Sequence, residues 1–275
     1  MLKLLKCALC LGLIFGITGC KSNDNDKDTN SNVSLKKEEK KKNVIKADNG
    51  TEIDLNKYIE EKDFINYEFE EEDDESITLR RYNGNIDYLI LPKEYNGKKI
   101  TNIYGAFAKS NIKGIIIPEG YINIGHSAFD DCSRLETVIM PDSVVSLSDV
   151  FDNCSSLENI RLSKNIKAIV RDTFDRHNKL KKVVIPASVE TVYDGAFWCC
   201  ESLETVVYEE GIKEINAEAF YVCKKLYNIF IPSSVTMIKG EFGSVDIHPN
   251  IIFHVEKDSY AEQYAKDNGF NVEYN

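Results

Sequence analysis

The side chains best equipped for chemistry in this sequence are four histidines (126, 177, 248 and 254), eight cysteines and three alternating aspartates, Asp24, Asp26 and Asp28. Acid–base or nucleophilic catalysis needs such groups gathered in one pocket, with pKa values shifted for the task. The histidines instead fall in different segments, and no Ser-His-Asp, metal-binding or phosphate-loop spacing accompanies them. A calcium loop starting at Asp24 would need a turn glycine and a closing glutamate, and Thr29 and Leu35 stand at those places. Beyond residue 20 there is no C-x-x-C pair and no histidine at ligand spacing from a cysteine, so neither a zinc knuckle nor a redox couple is supported. The residues therefore predict no catalytic centre, no cofactor and no metal site. A hydrolase finds no constellation to carry it.

Charge narrows the partners. The formal net charge is −11, and residues 52–75 hold nearly all of it: twelve carboxylates there face only Lys57 and Lys62. Neither this acidic stretch nor the near-neutral remainder offers the basic stripe that phosphate-backbone binding requires, which excludes nucleic acid as the expected partner. The run 70–75 reads as a solvated turn.

The start of the chain indicates a compartment. Lys3 and Lys6 precede an apolar core over 9–17, which ends in Ile17-Thr18-Gly19-Cys20. That core is too short for a comfortable membrane span and suits a processed targeting segment. Small residues before a cysteine at such a place resemble the cleavage and lipidation signal of bacterial lipoproteins. The resemblance implies a signal peptide over 1–19, lipid on Cys20, and export to the cell surface with a tether to a bacterial membrane. Residues 20–50 are rich in Lys, Asn, Asp, Ser and Glu and read as a flexible, lipid-anchored linker. Cys7 and Cys10 would leave with the signal.

The remaining cysteines, Cys199 apart, belong to a repeat. Phenylalanine recurs at 107, 129, 151, 174, 197 and 220, in steps of 22 or 23 residues. Cys132, Cys154, Cys200 and Cys223 follow in phase, with His177 holding the same place in the fourth copy. His177 is thus expected to be a ladder residue, and the column to consist of buried thiols, with disulfides between rungs as the alternative. Further on come Leu135, Leu157, Leu180, Leu203 and Leu226. Alternating pairs such as Val138 and Met140 or Val183 and Ile185 come next, in the pattern of a short strand with one buried face. Proline at 118, 141, 186 and 232 marks where that strand stops. A copy this short cannot close a core alone, but stacked copies share one.

The phrases L-E-T-V-I-M-P-D-S-V (135–144) and L-K-K-V-V-I-P-A-S-V-E-T-V-Y-D-G-A-F (180–197) resemble the BspA-like, or treponemal, leucine-rich repeats of bacterial surface proteins. The resemblance covers about 85–254. It implies a leucine-rich-repeat solenoid, mainly β or α/β: a right-handed curved rod with a parallel β-sheet along one side. It also implies cell-surface placement and, in some relatives, adhesion, with no shared catalytic residue.

The organisation that follows is an acidic N-terminal cap region over 51–92, repeats over 93–254, and a C-terminal capping helix and tail over 255–275. The N-terminal cap is expected to be a hairpin of 76–81 and 87–91 about a turn at 82–85, with a short helix within 54–64. At the other end a strand at Ile251, Phe253 and Val255 leads to a helix capped by Asp258 or Ser259 and stopped at Asn268-Gly269.

Strand residues pointing away from the core are the candidate binding face. One outward column is Ile116, Ile139, Arg161, Val184, Val207 and Phe230, and its neighbour contains Thr137, Asn159, Lys182, Thr205 and Asn228. The first is more apolar than solubility requires, which marks a contact surface for an extracellular protein or polysaccharide. A structural spacer or envelope protein without a dedicated ligand is the rival reading. The ligand's identity and the oligomeric state stay open at this level.

Overall fold

A computed structural model describes residues 43–242 and 250–275. The 1–19 segment, Cys20, most of the 20–50 linker and His248 lie outside the described residues.

The alternating pairs form strands, and each strand lies in register on the same strand of the next copy. Gly114–Ile116, Thr137–Ile139 and Asn159–Arg161 pair in parallel, with Ile115, Val138 and Ile160 opposite one another. Lys182–Ile185, Thr205–Tyr208, Asn228–Phe230 and Ile252–Val255 do the same, aligning Val183, Val206, Ile229 and Phe253. Each pass also makes a second short strand. Asn123–Gly125 pairs with Ser146–Ser148, Ala168–Ile169 with Thr191–Val192, and Glu214–Asn216 with Met237–Lys239. One inward residue per pass (Ile124, Leu147, Ile169, Val192, Ile215, Ile238) is enough to bury these strands but too little alternation to read as strands in the sequence.

Between the two rows runs a single file of phenylalanines. Phe107, Phe129, Phe151, Phe174, Phe197 and Phe220 stack ring on ring with centroids 5.0 to 5.7 Å apart, and none is more than 1% exposed. Tyr82 continues the file at one end and Phe242 at the other. The small residue before each ring has a reason in the backbone. The Phe107 and Phe129 amides donate to the carbonyls of Ala128 and Val150 in the next copy, and Phe174 and Phe197 to those of Ala196 and Ala219. A bulky side chain there would hold adjacent turns apart.

The cysteine column is bonded to this file. The thiols of Cys132, Cys154, Cys200 and Cys223 donate to the carbonyls of Phe107, Phe129, Phe174 and Phe197, each one copy back, at 2.9 to 3.2 Å. All four are buried, and Cys199 beside them is half-buried. Burial pushes the Cys200 thiol up, and the hydrogen bond with Cys132 does so for Cys154, which keeps both in the protonated, donating form.

The N-terminal cap differs from the expected hairpin of 76–81 with 87–91. Ile77–Tyr82 pairs antiparallel with Tyr67–Glu71 and parallel with Lys98–Tyr104, whereas Tyr88–Ile90 joins the other sheet beside Gly114–Ile116. The 82–85 turn therefore carries the chain between sheets, as in every repeat. Leu79 lies opposite Ile103 and Leu89 opposite Ile115, so each buries more surface on the stack than the two could on each other. The expected helix within 54–64 is replaced by short 3-10 turns at Leu55–Lys57 and Phe64–Asn66 flanking an edge strand, Ile59–Glu60. Order also begins earlier than residue 51: Val44–Lys46 pairs antiparallel with Glu52–Asp54, which shortens the expected linker.

At the C-terminus the helix runs Tyr260–Asp267, with the Ser259 hydroxyl accepting the Glu262 amide and Ala261 and Ala265 buried against the last turn. The chain then adds a strand unforeseen in the sequence, Asn271–Tyr274, parallel to Ile252–Val255.

Candidate functional site: the outward sheet face

The outward columns are in place but do not share one environment. In the first copies the face is covered by the chain's own residues 44–58. Ala47, Ile53 and Tyr58 form a small second core with Ile139, against which Ile45, Tyr88, Ile90 and Ile116 pack. Ile139 is 2% and Thr137 5% exposed. The expectation that these two present a docking surface is therefore corrected: the hairpin of Val44–Lys46 and Glu52–Asp54 removes them from solvent. Gly114 makes room for it, since a Cβ there would come within 2.6 Å of the Tyr58 hydroxyl and 2.7 Å of the Tyr88 ring.

The hairpin's turn has a second role. The sheet is interrupted after Asn159–Arg161 and resumes as a separate sheet at Lys182–Ile185. An interrupted edge leaves backbone donors and acceptors that must find partners. Asp48 supplies them: its amide donates to the Ile160 carbonyl at 2.7 Å, and the Leu162 amide donates to its carboxylate at 3.0 Å. Asn49 donates to the Glu158 carbonyl and to the Asn159 side chain. Burial raises the Asp48 carboxyl to about 7, against the lowering effect of the Leu162 amide. Arg161 reaches back to the preceding copy, donating to the Met140 carbonyl and pairing with Asp142.

Beyond the interruption the face is open. Lys182, Val184, Thr205, Val207, Asn228 and Phe230 are half-buried. His254 extends the apolar column by lying flat on Phe230, with ring centroids 4.0 Å apart, and its Nε2 is 2.9 Å from the Asn228 side-chain oxygen. Beside Phe230 and Val207 lies an open cleft of about 560 Å³ bordered by Glu210, Ser233 and Glu256. This cleft was not foreseen, because its carboxylates come from outside the outward columns.

The histidines stay apart. His177 sits in the cysteine column, 1% exposed, with Nδ1 2.9 Å from the Asp175 carbonyl and Nε2 without a partner. Burial lowers its pKa to about 4, so it is neutral at ordinary pH. His126 contacts Tyr104 in a turn, and His254 belongs to the open face. Among the described residues no group of His, Cys, Asp or Glu could hold a metal ion. No helix among them is long and apolar enough to cross a membrane. One further cleft, of about 290 Å³, lies on the phenylalanine side, where Trp198 and Tyr221 meet Arg171, Asp194 and Glu218. Trp198 directly follows Phe197 of the repeat, and its 39% exposure could not be read from the sequence.

Comparison with known proteins agrees with this geometry. The family model for the BspA type leucine rich repeat region matches six copies, over residues 98–150 and 147–247. No curated protein matches the chain. Among solved structures, a leucine-rich repeat protein of T. pallidum is similar over 78% of this chain and 98% of its own, at 23% identity and a TM-score of 0.61. A leucine-rich repeat protein of Bacteroides ovatus is 20% identical over 76% of this chain and 66% of its own, with a TM-score of 0.49. A leucine rich cell surface protein of Faecalibacterium prausnitzii is 28% identical over 64% of this chain and 39% of its own, with a TM-score of 0.44. With the family model spanning more than half of its length, the stacked phenylalanines and in-register strands are those of a member of the BspA-type leucine-rich repeat family.

Proposed function

We propose that this chain is a cell-surface binding or adhesion module, held to a bacterial membrane by lipid on Cys20. It presents the open half of its outward face to an extracellular protein or polysaccharide. One observation carries the reading: the same apolar column is sealed at Ile139 by residues 44–58, whereas Val184, Val207 and Phe230 lie outside that cover and remain half-buried. A contiguous apolar strip that a chain covers in one half and leaves open in the other has the character of a contact surface. The family and the lipoprotein-like start support the surface placement.

The test is direct. The full chain and a variant carrying Val184→Ser, Val207→Ser and Phe230→Ser are applied to extracellular-matrix proteins and cell-wall polysaccharides. Binding by the parent that is lost in a folded variant supports the reading. Equal binding by both, or none by either, would leave the spacer reading in its place. The tether has its own check: the intact mass of the membrane-bound protein should correspond to a chain beginning at Cys20 with added acyl mass.

A further inference from the structure

We infer that the open half of the face takes a polypeptide hairpin carrying an apolar side chain beside a lysine or arginine, an inference that rests on the binding reading above. The molecule already shows what this face accepts. Residues 44–58, a β-hairpin followed by a 3-10 turn, lie against the same columns and place Ala47, Ile53 and Tyr58 against Ile139. Their turn hydrogen-bonds to the sheet edge through the backbone and side chain of Asp48. Ile116, Ile139 and Arg161 on one sheet and Val184, Val207 and Phe230 on the next hold the same place in their copies, so the open half repeats, across the interruption, the strand spacing of a surface with a known kind of occupant.

The side chains of the open half favour the same kind of occupant over a sugar. A pyranose is commonly held by the exposed face of an aromatic ring, flanked by hydrogen-bonding groups. Phe230 and His254 are the aromatic rings of this half of the columns, and they lie on one another at 4.0 Å, so that each has one face taken. Val184 and Val207, which precede it in the column, offer apolar surface without a stacking platform. Charge defines the second feature. Glu210 and Glu256 border the cleft beside Phe230, and among the described residues neither forms an ion pair; the nearest polar contact of Glu210 is the Ser233 hydroxyl at 3.5 Å. Two carboxylates at the rim of an apolar strip attract a cationic side chain next to the apolar one.

The experiment is a selection of displayed hairpin peptides of about sixteen residues, roughly the length of the internal occupant, against the full chain in detergent micelles. An oligosaccharide array is probed with the same protein. The expected result is a set of peptides enriched in a lysine or arginine adjacent to an apolar residue. Their affinity should fall at least about tenfold on Val184→Ser, Val207→Ser and Phe230→Ser together, as loss of a central apolar anchor commonly does. Glu210→Gln with Glu256→Gln should weaken binding about threefold or more and flatten its salt dependence. If the triple variant has a lowered unfolding midpoint, Val184→Thr with Val207→Thr, which preserves shape, carries the same test. Peptides whose binding ignores these variants overturn the inference. So does an oligosaccharide whose binding the triple variant abolishes when no peptide responds, although that result would leave the face itself as a binding surface. Failure of both probes to respond would remove the binding reading as well.

Discussion

Replacing His177 with cysteine should change the pH dependence of stability more than the stability itself. In the folded chain His177 is buried with its Nε2 unpartnered and its pKa lowered to about 4 from 6.5. A group whose folded pKa is depressed in this way contributes its full stability above 6.5, and that contribution is lost progressively as pH falls towards 4, because the unfolded chain binds the proton first. At 1.36 kcal/mol per pKa unit the loss is on the order of 3 kcal/mol across that window. Cysteine removes the titration and fits the column, where the neighbouring thiols donate to the phenylalanine carbonyl one copy back. The new bond to the Phe151 carbonyl should contribute about 1 kcal/mol. The smaller side chain leaves a void of roughly a few tens of Å³, which costs about 1 kcal/mol. His177→Cys should therefore match the parent within about 1 kcal/mol at pH 7.5 and exceed it by on the order of 2 to 3 kcal/mol at pH 4. Urea unfolding of both proteins between pH 4 and 7.5 reads the difference directly, and the titration of other groups cancels. Parallel pH profiles would refute the assignment of His177 as a buried, neutral rung.

Two further outcomes concern the covering segment. Asp48 has a folded pKa raised to about 7 by burial, so its share of the docking stability is complete below the ordinary 3.8 and lost as pH rises through 7. Asp48→Asn should make docking of residues 44–58 independent of pH. The parent alone should then show faster exchange of the Leu162 amide at pH 8.5 than at 5.5, after correction for intrinsic rates. Gly114→Ala would place a methyl group within 2.7 Å of both Tyr58 and Tyr88. It should weaken the docked segment by about 1 to 3 kcal/mol, the usual cost of overpacking, seen as faster protease cleavage within 44–58 while the remaining repeats stay resistant.

The periodic core was legible because a residue inside a stack meets its own equivalents above and below, so selection for volume repeats at the copy length. Phe129, Leu135 and Val138 carry that signal, as do Ser259 and Gly269 at the ends of the terminal helix. The covering segment was not legible, because nothing local in V-I-K-A-D-N-G-T-E-I-D names the distant surface it meets. The signal lay in the surface: Ile116 and Ile139 are more apolar than solvent tolerates, and part of what covers them is the chain itself. The strands of 77–91 were misjudged for a related reason. A hairpin and a degenerate solenoid turn share the same alternation and the same Asn-Gly turn, and only the stacking of Leu79 and Leu89 on the next copy separates them.

The division of one face into a sealed half and an open half can be measured most directly by thiol accessibility. Ile139→Cys and Val207→Cys, introduced separately and followed by maleimide labelling with site-resolved mass spectrometry, report the two halves in otherwise identical chains. The thiol at 207 should react close to the rate of an exposed peptide thiol. That at 139 should react at least about a hundredfold more slowly, because it waits for residues 44–58 to open. Similar rates at the two positions would contradict the account.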